Sequence, residues 1–200
     1  MTDIVYTLNG KPYINLTNQC PCACVFCIRG EAEGLGSAQS LWHKGDPAWE
    51  DIEQALEAFD FSGAEEAVFC GYGEPFCAFE NLKRSAAWLK AKYPALRLRV
   101  NTNGLGDLVL GRAAAQELQG LIDAMSVSLN APNAARYHEL CRSCYGEAAY
   151  GAMLRFAAQC KTIFPRVTLS AVDVITPEEI DQCEAIAEGI GIPFKVRSMM

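Results

Sequence analysis

Strand-like and helix-like segments alternate along this 200-residue chain, and that order restricts the fold more than any other feature. The opening stretch "VYTLNGKPYINLTN" alternates apolar and polar residues around Asn9-Gly10. A two-residue hairpin turn needs positive φ at both positions, which Asn-Gly tolerates, so a β-hairpin is expected with its second strand over 13–18. A helix is expected over 48–60, opened by Asp46-Pro47, with Ile52, Leu56 and Phe59 on one face. Beyond it, "EAVFCGY", "LRLRVN", "AMSVSLN", "RVTLSAVDV" and "IPFKVRSM" read as strands. Helical patterns separate them: "FENLKRSAAWLKAKY" stopped by Pro94, "GRAAAQELQGLI", the pair "NAARYHELC" and "GEAAYGAMLRFAAQCKTIF", and a helix capped at Thr176-Pro177.

Six strands joined through helices predict a parallel α/β domain with right-handed crossovers. Two architectures satisfy that order. One is an open, partial (β/α)6 barrel preceded by the hairpin; the other is a doubly wound sheet. A full eight-unit barrel takes about 250 residues, more than this chain supplies. No linker or low-complexity tract interrupts the pattern, so a single domain over 1–200 is expected. A domain of this size buries roughly 70% of its unfolded surface.

Composition narrows the class of partners. Seventeen Lys and Arg against 24 Asp and Glu give a net charge of -7, which argues against nucleic-acid binding. The first residues lack an apolar core of signal-peptide length, and no apolar run reaches the roughly 20 residues of a membrane span. A cytoplasmic protein is expected, where thiols stay reduced and clustered cysteines point to metal or catalysis.

The cysteines are clustered. Four of the ten lie in "NQCPCACVFCIRG" at 18–30, at the C-terminal end of the first barrel strand. Parallel α/β folds place their chemistry at those ends. The other strand ends carry Gly71-Tyr72-Gly73-Glu74-Pro75, then Asn101-Thr102-Asn103-Gly104, then Ser128 and Asn130, then Asp173, then Arg197. Cys20, Cys24 and Cys27 form C-x3-C-x2-C, a spacing that can wrap three thiolates around one face of a cubic iron–sulfur cluster. Complete ligation takes four cysteines, so three leave one iron open. Cys22, two residues from each neighbour, is expected to point away from such a cluster. A structural zinc site would need two paired ligand groups, and no C-x2-C partner follows at finger spacing. His43 and His138 lack partners at metal spacing. Cys141 and Cys144 form a lone C-x2-C, too few for a second cluster.

With these residues in place, the sequence resembles the radical S-adenosylmethionine (SAM) superfamily. The family motif is three cysteines with an aromatic residue before the last; here Phe26 precedes Cys27. The resemblance implies a 4Fe–4S cluster on Cys20, Cys24 and Cys27, with SAM on the open iron. Reductive cleavage of SAM would give a 5'-deoxyadenosyl radical that takes hydrogen from a substrate. It implies that Gly71, Tyr72, Gly73, Glu74 and Pro75 correspond to the family's Gly-Gly-Glu-Pro motif, with Tyr72 replacing the first glycine. That motif captures the SAM ammonium through backbone carbonyls and Glu74. Asn103, Ser128, Asn130 and Arg197 are the further cofactor contacts it implies. The finer match, on "YINLTNQC", "VFCGYGEP", "NTNG", "SVSLNAPNAARYHELCR" and "FKVR", is similar to radical SAM proteins associated with TatD-type hydrolases. An electron donor such as flavodoxin or ferredoxin is implied as a partner. Two other readings stand beside it: an activase that installs a glycyl radical on a partner protein, and a non-catalytic iron–sulfur or zinc module.

Overall fold

The structure, a computed structural model, describes residues 3–199. Strands β1 (Val5–Leu8) and β2 (Lys11–Ile14) form the expected hairpin, with Asn9 at φ 50° and Gly10 at φ 74°. The remaining strands are β3 (Glu66–Phe69), β4 (Arg97–Thr102), β5 (Ala124–Ser128), β6 (Arg166–Val172) and β7 (Phe194–Arg197). The long helices are α1 (Trp49–Ala58), α2 (Phe79–Lys92), α4 (Ala134–Cys141), α5 (Ala148–Ile163) and α6 (Pro177–Ile190), with a one-turn α3 (Gly106–Leu110).

The seven strands follow chain order across one sheet, from β1 to β7. Only the β1–β2 pair is antiparallel; β2 through β7 run parallel. A doubly wound sheet reverses its strand order at a switch point. This sheet never reverses, so the chain winds in one sense as a barrel does. It stays open, because β1 and β7 do not pair. The partial barrel is therefore the architecture, and the doubly wound alternative falls.

Alternation along the strands divides the sheet into two unlike faces. Leu98, Val100, Met125, Val127, Leu169 and Ala171 pack into one core with helix residues such as Ile52, Leu82 and Phe156. The residues between them are polar: Asn101 stands opposite Ser126, Ser126 opposite Thr168, and Ser128 opposite Ser170. The helices thus cover the convex face, and the concave face is hydrophilic.

Two expectations need correction. The hairpin's second strand ends at Ile14 rather than running over 13–18, because Asn15, Thr17 and Asn18 turn to side-chain bonds with residues 41–46. No continuous helix spans "GRAAAQELQGLI". Gly111 adopts φ 65° and ends α3, Asp107 Oδ1 accepts from Ala114 N at 2.9 Å, and only a 3-10 turn forms at Ala115–Leu118. Among the described residues no helix is long and apolar enough to cross a membrane.

Candidate functional site

The cysteine-bearing loop leaves the end of β2 and is strapped from two sides. On one side lies the segment 31–47. Asn15 Nδ2 donates to Leu41 O at 2.8 Å, Asn18 Nδ2 to His43 O at 3.0 Å, and Thr17 Oγ1 to Asp46 at 2.5 Å. Burial keeps the His43 imidazole pKa low, so the ring stays neutral against Asn15. On the other side lies the turn after α4. Val25 N donates to Leu140 O at 2.9 Å, Ala23 N to Cys141 O at 3.1 Å, and Cys144 N to Pro21 O at 2.9 Å, while Cys22 and Ser143 form an isolated antiparallel bridge. Arg142 at φ 46° makes the reversal that exposes these groups. Sequence reasoning missed this brace. The only signal was the lone C-x2-C of Cys141 and Cys144, which lies next to the loop without adding a second cluster's ligands.

All ten cysteines are free thiols. Cys22 is buried and does not point away: its thiol donates to the sulfurs of Cys20 and Cys24. Those bonds hold the Cys22 pKa up and draw the Cys20 pKa down. Cys24 is drawn down first by the Cys141 thiol and then by Cys22. Cys20 and Cys24 thus favour thiolate, the form that binds metal, and Cys22 and Cys141 remain donors. Cys27 is half-buried at the start of a 3-10 turn (Ile28–Gly30), its N–H on Cys24 O at 3.1 Å. Phe26 packs on the core, anchoring the loop. Among the described residues no three His, Cys, Asp or Glu side chains already converge as a metal site.

Gly71 to Pro75 follow β3 beside this loop. A Cβ on Gly71 would strike the Asn15 side chain, and one on Gly73 would strike the Thr17 carbonyl. Both glycines are therefore needed where β3 presses against the extension of β2. Tyr72 turns its side chain away from the rim. Its hydroxyl donates to Ala32 O, its ring meets Trp42 edge-on at 5.2 Å, and its N–H donates to Asn15 Oδ1 at 3.2 Å. The residue in the place of the family's glycine thus fastens the 31–47 segment and leaves the backbone path open. The Glu74 carboxylate is buried, not presented at the rim. It accepts from Thr102 Oγ1 at 2.7 Å, Asn103 N at 2.7 Å and Phe76 N at 3.3 Å, clipping β3 to β4. Burial, then the charge of Cys20, pushes its pKa up to about 8 against those three donors. Pro75 starts the 3-10 turn Pro75–Ala78 that leads into α2. Thr102, on the same strand end as Asn103, completes the clip.

Asn103 Nδ2 lies 3.8 Å from both Cys20 Sγ and Cys22 Sγ, which brings the third strand end to the cysteine loop. Asn130, in the left-handed region at φ 60°, donates from Nδ2 to Cys141 Sγ at 3.6 Å. Arg197 Nη2 donates to Ser128 Oγ at 3.3 Å. Asp173 instead accepts from Met199 N at 2.7 Å.

The family's model spans residues 14–188, from the end of β2 into α6, and includes the whole cysteine loop. The chain belongs to the radical SAM superfamily. Radical SAM proteins of known structure share its fold. SuiB of Streptococcus suis bound to precursor peptide SuiA aligns over 94% of this chain and 39% of its own, at 16% identity and a TM-score of 0.70. A radical SAM methyltransferase from Sphaerobacter thermophilus aligns over 97% and 68%, at 18% identity and a TM-score of 0.61. TsrM, a radical SAM methyltransferase from Kitasatospora setae with cobalamin and a 4Fe–4S cluster bound, aligns over 92% and 34%, at 14% identity and a TM-score of 0.57. The chain thus spans about two fifths of SuiB and a third of TsrM. No curated protein matches it in sequence. Membership places the chain in an enzyme superfamily whose cofactors are SAM and a 4Fe–4S cluster, and the thiol-rich loop of this radical SAM domain has donors of the right chemistry for such a cluster.

Proposed function

We propose that this radical SAM domain cleaves SAM reductively at a cluster held by Cys20, Cys24 and Cys27, and directs the radical at a substrate C–H bond. The observation that carries this reading is the radical SAM match over residues 14–188, which takes in the whole cysteine loop, with Asn103 Nδ2 of the third strand end 3.8 Å from Cys20 Sγ. Cys20, Cys24 and Cys27 have the family's spacing, and Cys22 falls outside it. When bound and reduced, the cluster would supply the electron for reductive cleavage of SAM. The backbone carbonyls of Gly71 to Pro75 would receive the SAM ammonium. Glu74 fixes that backbone from behind through Thr102 and Asn103. Asn103, Ser128 and Asn130 stand at the strand ends where they would meet the rest of SAM. The 31–47 segment, fastened by Tyr72 and Asn15, covers one side of the loop and keeps water from it.

A single-electron donor such as flavodoxin or ferredoxin completes the cycle. The motif resemblance to TatD-associated proteins supports a functional link with a metal-dependent hydrolase of that kind. One continuous sheet supports treating the 200 residues as a single radical SAM core. The test is anaerobic reconstitution with iron and sulfide, then addition of SAM and dithionite. The expected product is 5'-deoxyadenosine. A fully loaded cluster that yields none would leave only the non-catalytic iron–sulfur module.

A further inference from the structure

The concave face of the sheet carries charge that SAM cleavage does not use. Strand alternation places Arg99, Asn101, Ser128, Ser170 and Arg197 there, away from the helices. Arg99 is compensated: its Nε reaches Glu66 at 3.3 Å and its Nη1 donates to Asn101 Oδ1 at 2.6 Å. Glu66 also binds Lys11 at 2.8 Å. Arg197 is not compensated. Among the described residues no carboxylate pairs with it; Nη2 meets only the Ser128 hydroxyl, and Nε is buried with no acceptor. The groups whose charges it feels are Cys70, Arg99 and Tyr13. Arg99 repels it, and burial keeps the Cys70 thiol protonated, so neither serves as a counter-ion. A guanidinium stays charged in any protein, and shielding one from water without an anion is costly. On the adjacent strand Ser170, opposite Ser128, also has a buried hydroxyl with no partner. The Ser128 and Ser170 hydroxyls and the Arg197 guanidinium thus lie on three neighbouring strands of the concave face.

We infer that this end of the concave face binds an anionic group of the substrate, a carboxylate or a phosphate, with Arg197 as counter-charge and the Ser128 and Ser170 hydroxyls as further donors. The inference rests on the radical SAM reading above, which makes the concave face the reaction chamber. The carboxylate of SAM is the competing occupant of this place, so SAM binding is measured beside the anion.

The test uses the full, cluster-loaded chain with inorganic phosphate and acetate as probes and chloride at equal ionic strength as control. Anion binding is read from the thermal midpoint, and SAM binding by titration in parallel. Phosphate or acetate raises the wild-type midpoint above the chloride control. Arg197→Met weakens the anion about ten- to a hundredfold, the loss expected for a charge-assisted bond, and leaves SAM affinity unchanged. Arg197→Lys, which keeps the charge but loses the fork, falls between them. No response of the wild type to either anion overturns the inference. So does a variant that loses SAM instead of the anion, since Arg197 would then serve the cofactor. If Arg197→Met does not fold, the lysine variant decides alone: anion affinity equal to wild type overturns the inference. A wild-type chain that responds to the anions yet takes up neither cluster nor SAM refutes the radical SAM reading, and the substrate assignment with it.

Discussion

The two ends of the rim are built differently. At the ends of β2, β3 and β4, buried polar groups are completed by the chain itself: Asn15 meets Leu41 and Tyr72, Thr17 meets Asp46, and Glu74 meets Thr102 and Asn103. Asn18 Oδ1 is the exception, with no partner. At the ends of β5, β6 and β7, Asn130 Oδ1, Ser170 Oγ and Arg197 Nε are all buried without one. Folded proteins pair nearly all such atoms, with protein or with ordered water. The near end is a finished frame for the cysteine loop. The far end is where the proposed substrate anion would add partners.

The largest expected effect separates ligands from frame within the loop itself. Cys24→Ala abolishes cluster uptake, while Cys22→Ala keeps it, as measured by iron and sulfide content and visible absorbance after anaerobic reconstitution. Equal loss from both would make Cys22 a ligand and erase the distinction between the thiols that accept and those that donate.

Next come two substitutions of opposite sign. Glu74→Gln keeps the shape of the clip but turns an amide N–H toward donors, leaving one buried group unpaired. It lowers unfolding free energy by about 1–3 kcal/mol in urea titration. Ser170→Ala removes a hydroxyl that has no partner, so the ligand-free protein gains stability, by up to about 1 kcal/mol. Destabilisation by both would mean that the far end is as self-sufficient as the near end.

This contrast also explains what could be read in advance. The succession of strands and helices, the hairpin at Asn9-Gly10 and the helix cap at Thr176 depend on local pattern, and the structure has them. The helix expected over 111–122 failed because alanine-rich composition outweighed Gly111, whose left-handed conformation breaks the chain there. The candidate residues were legible as types at strand ends. Their partners were not, because those lie far away in the chain: Glu74 binds Thr102, Asn130 reaches Cys141, and Arg197 meets Ser128 across 69 positions. The inward turn of Cys22 was hidden for the same reason, since the segment that holds it starts more than a hundred residues later.

The smallest effect tests how firmly the near end is closed. His43 sits on Asn15, with Nε2 3.0 Å from Asn15 Nδ2 and 3.1 Å from Asn15 O. Burial lowers its pKa below the ordinary value; the Asn15 carbonyl and Asp46 oppose that shift but do not cancel it. The unfolded chain therefore takes up a proton first as pH falls through about 6.5. Stability is unaffected by His43 above that value and declines below it, until the folded imidazole is protonated too. The loss should be local, since His43 holds the 31–47 segment to the extension of β2. Hydrogen-exchange protection, corrected for the intrinsic rate at each pH, should fall in that segment below about pH 6.5 while that of β5 to β7 holds. His43→Gln, which stays neutral, should remove the pH dependence. If protection fell equally at both ends of the rim, the near end would have no frame of its own to lose, and the difference between the two ends would reduce to composition.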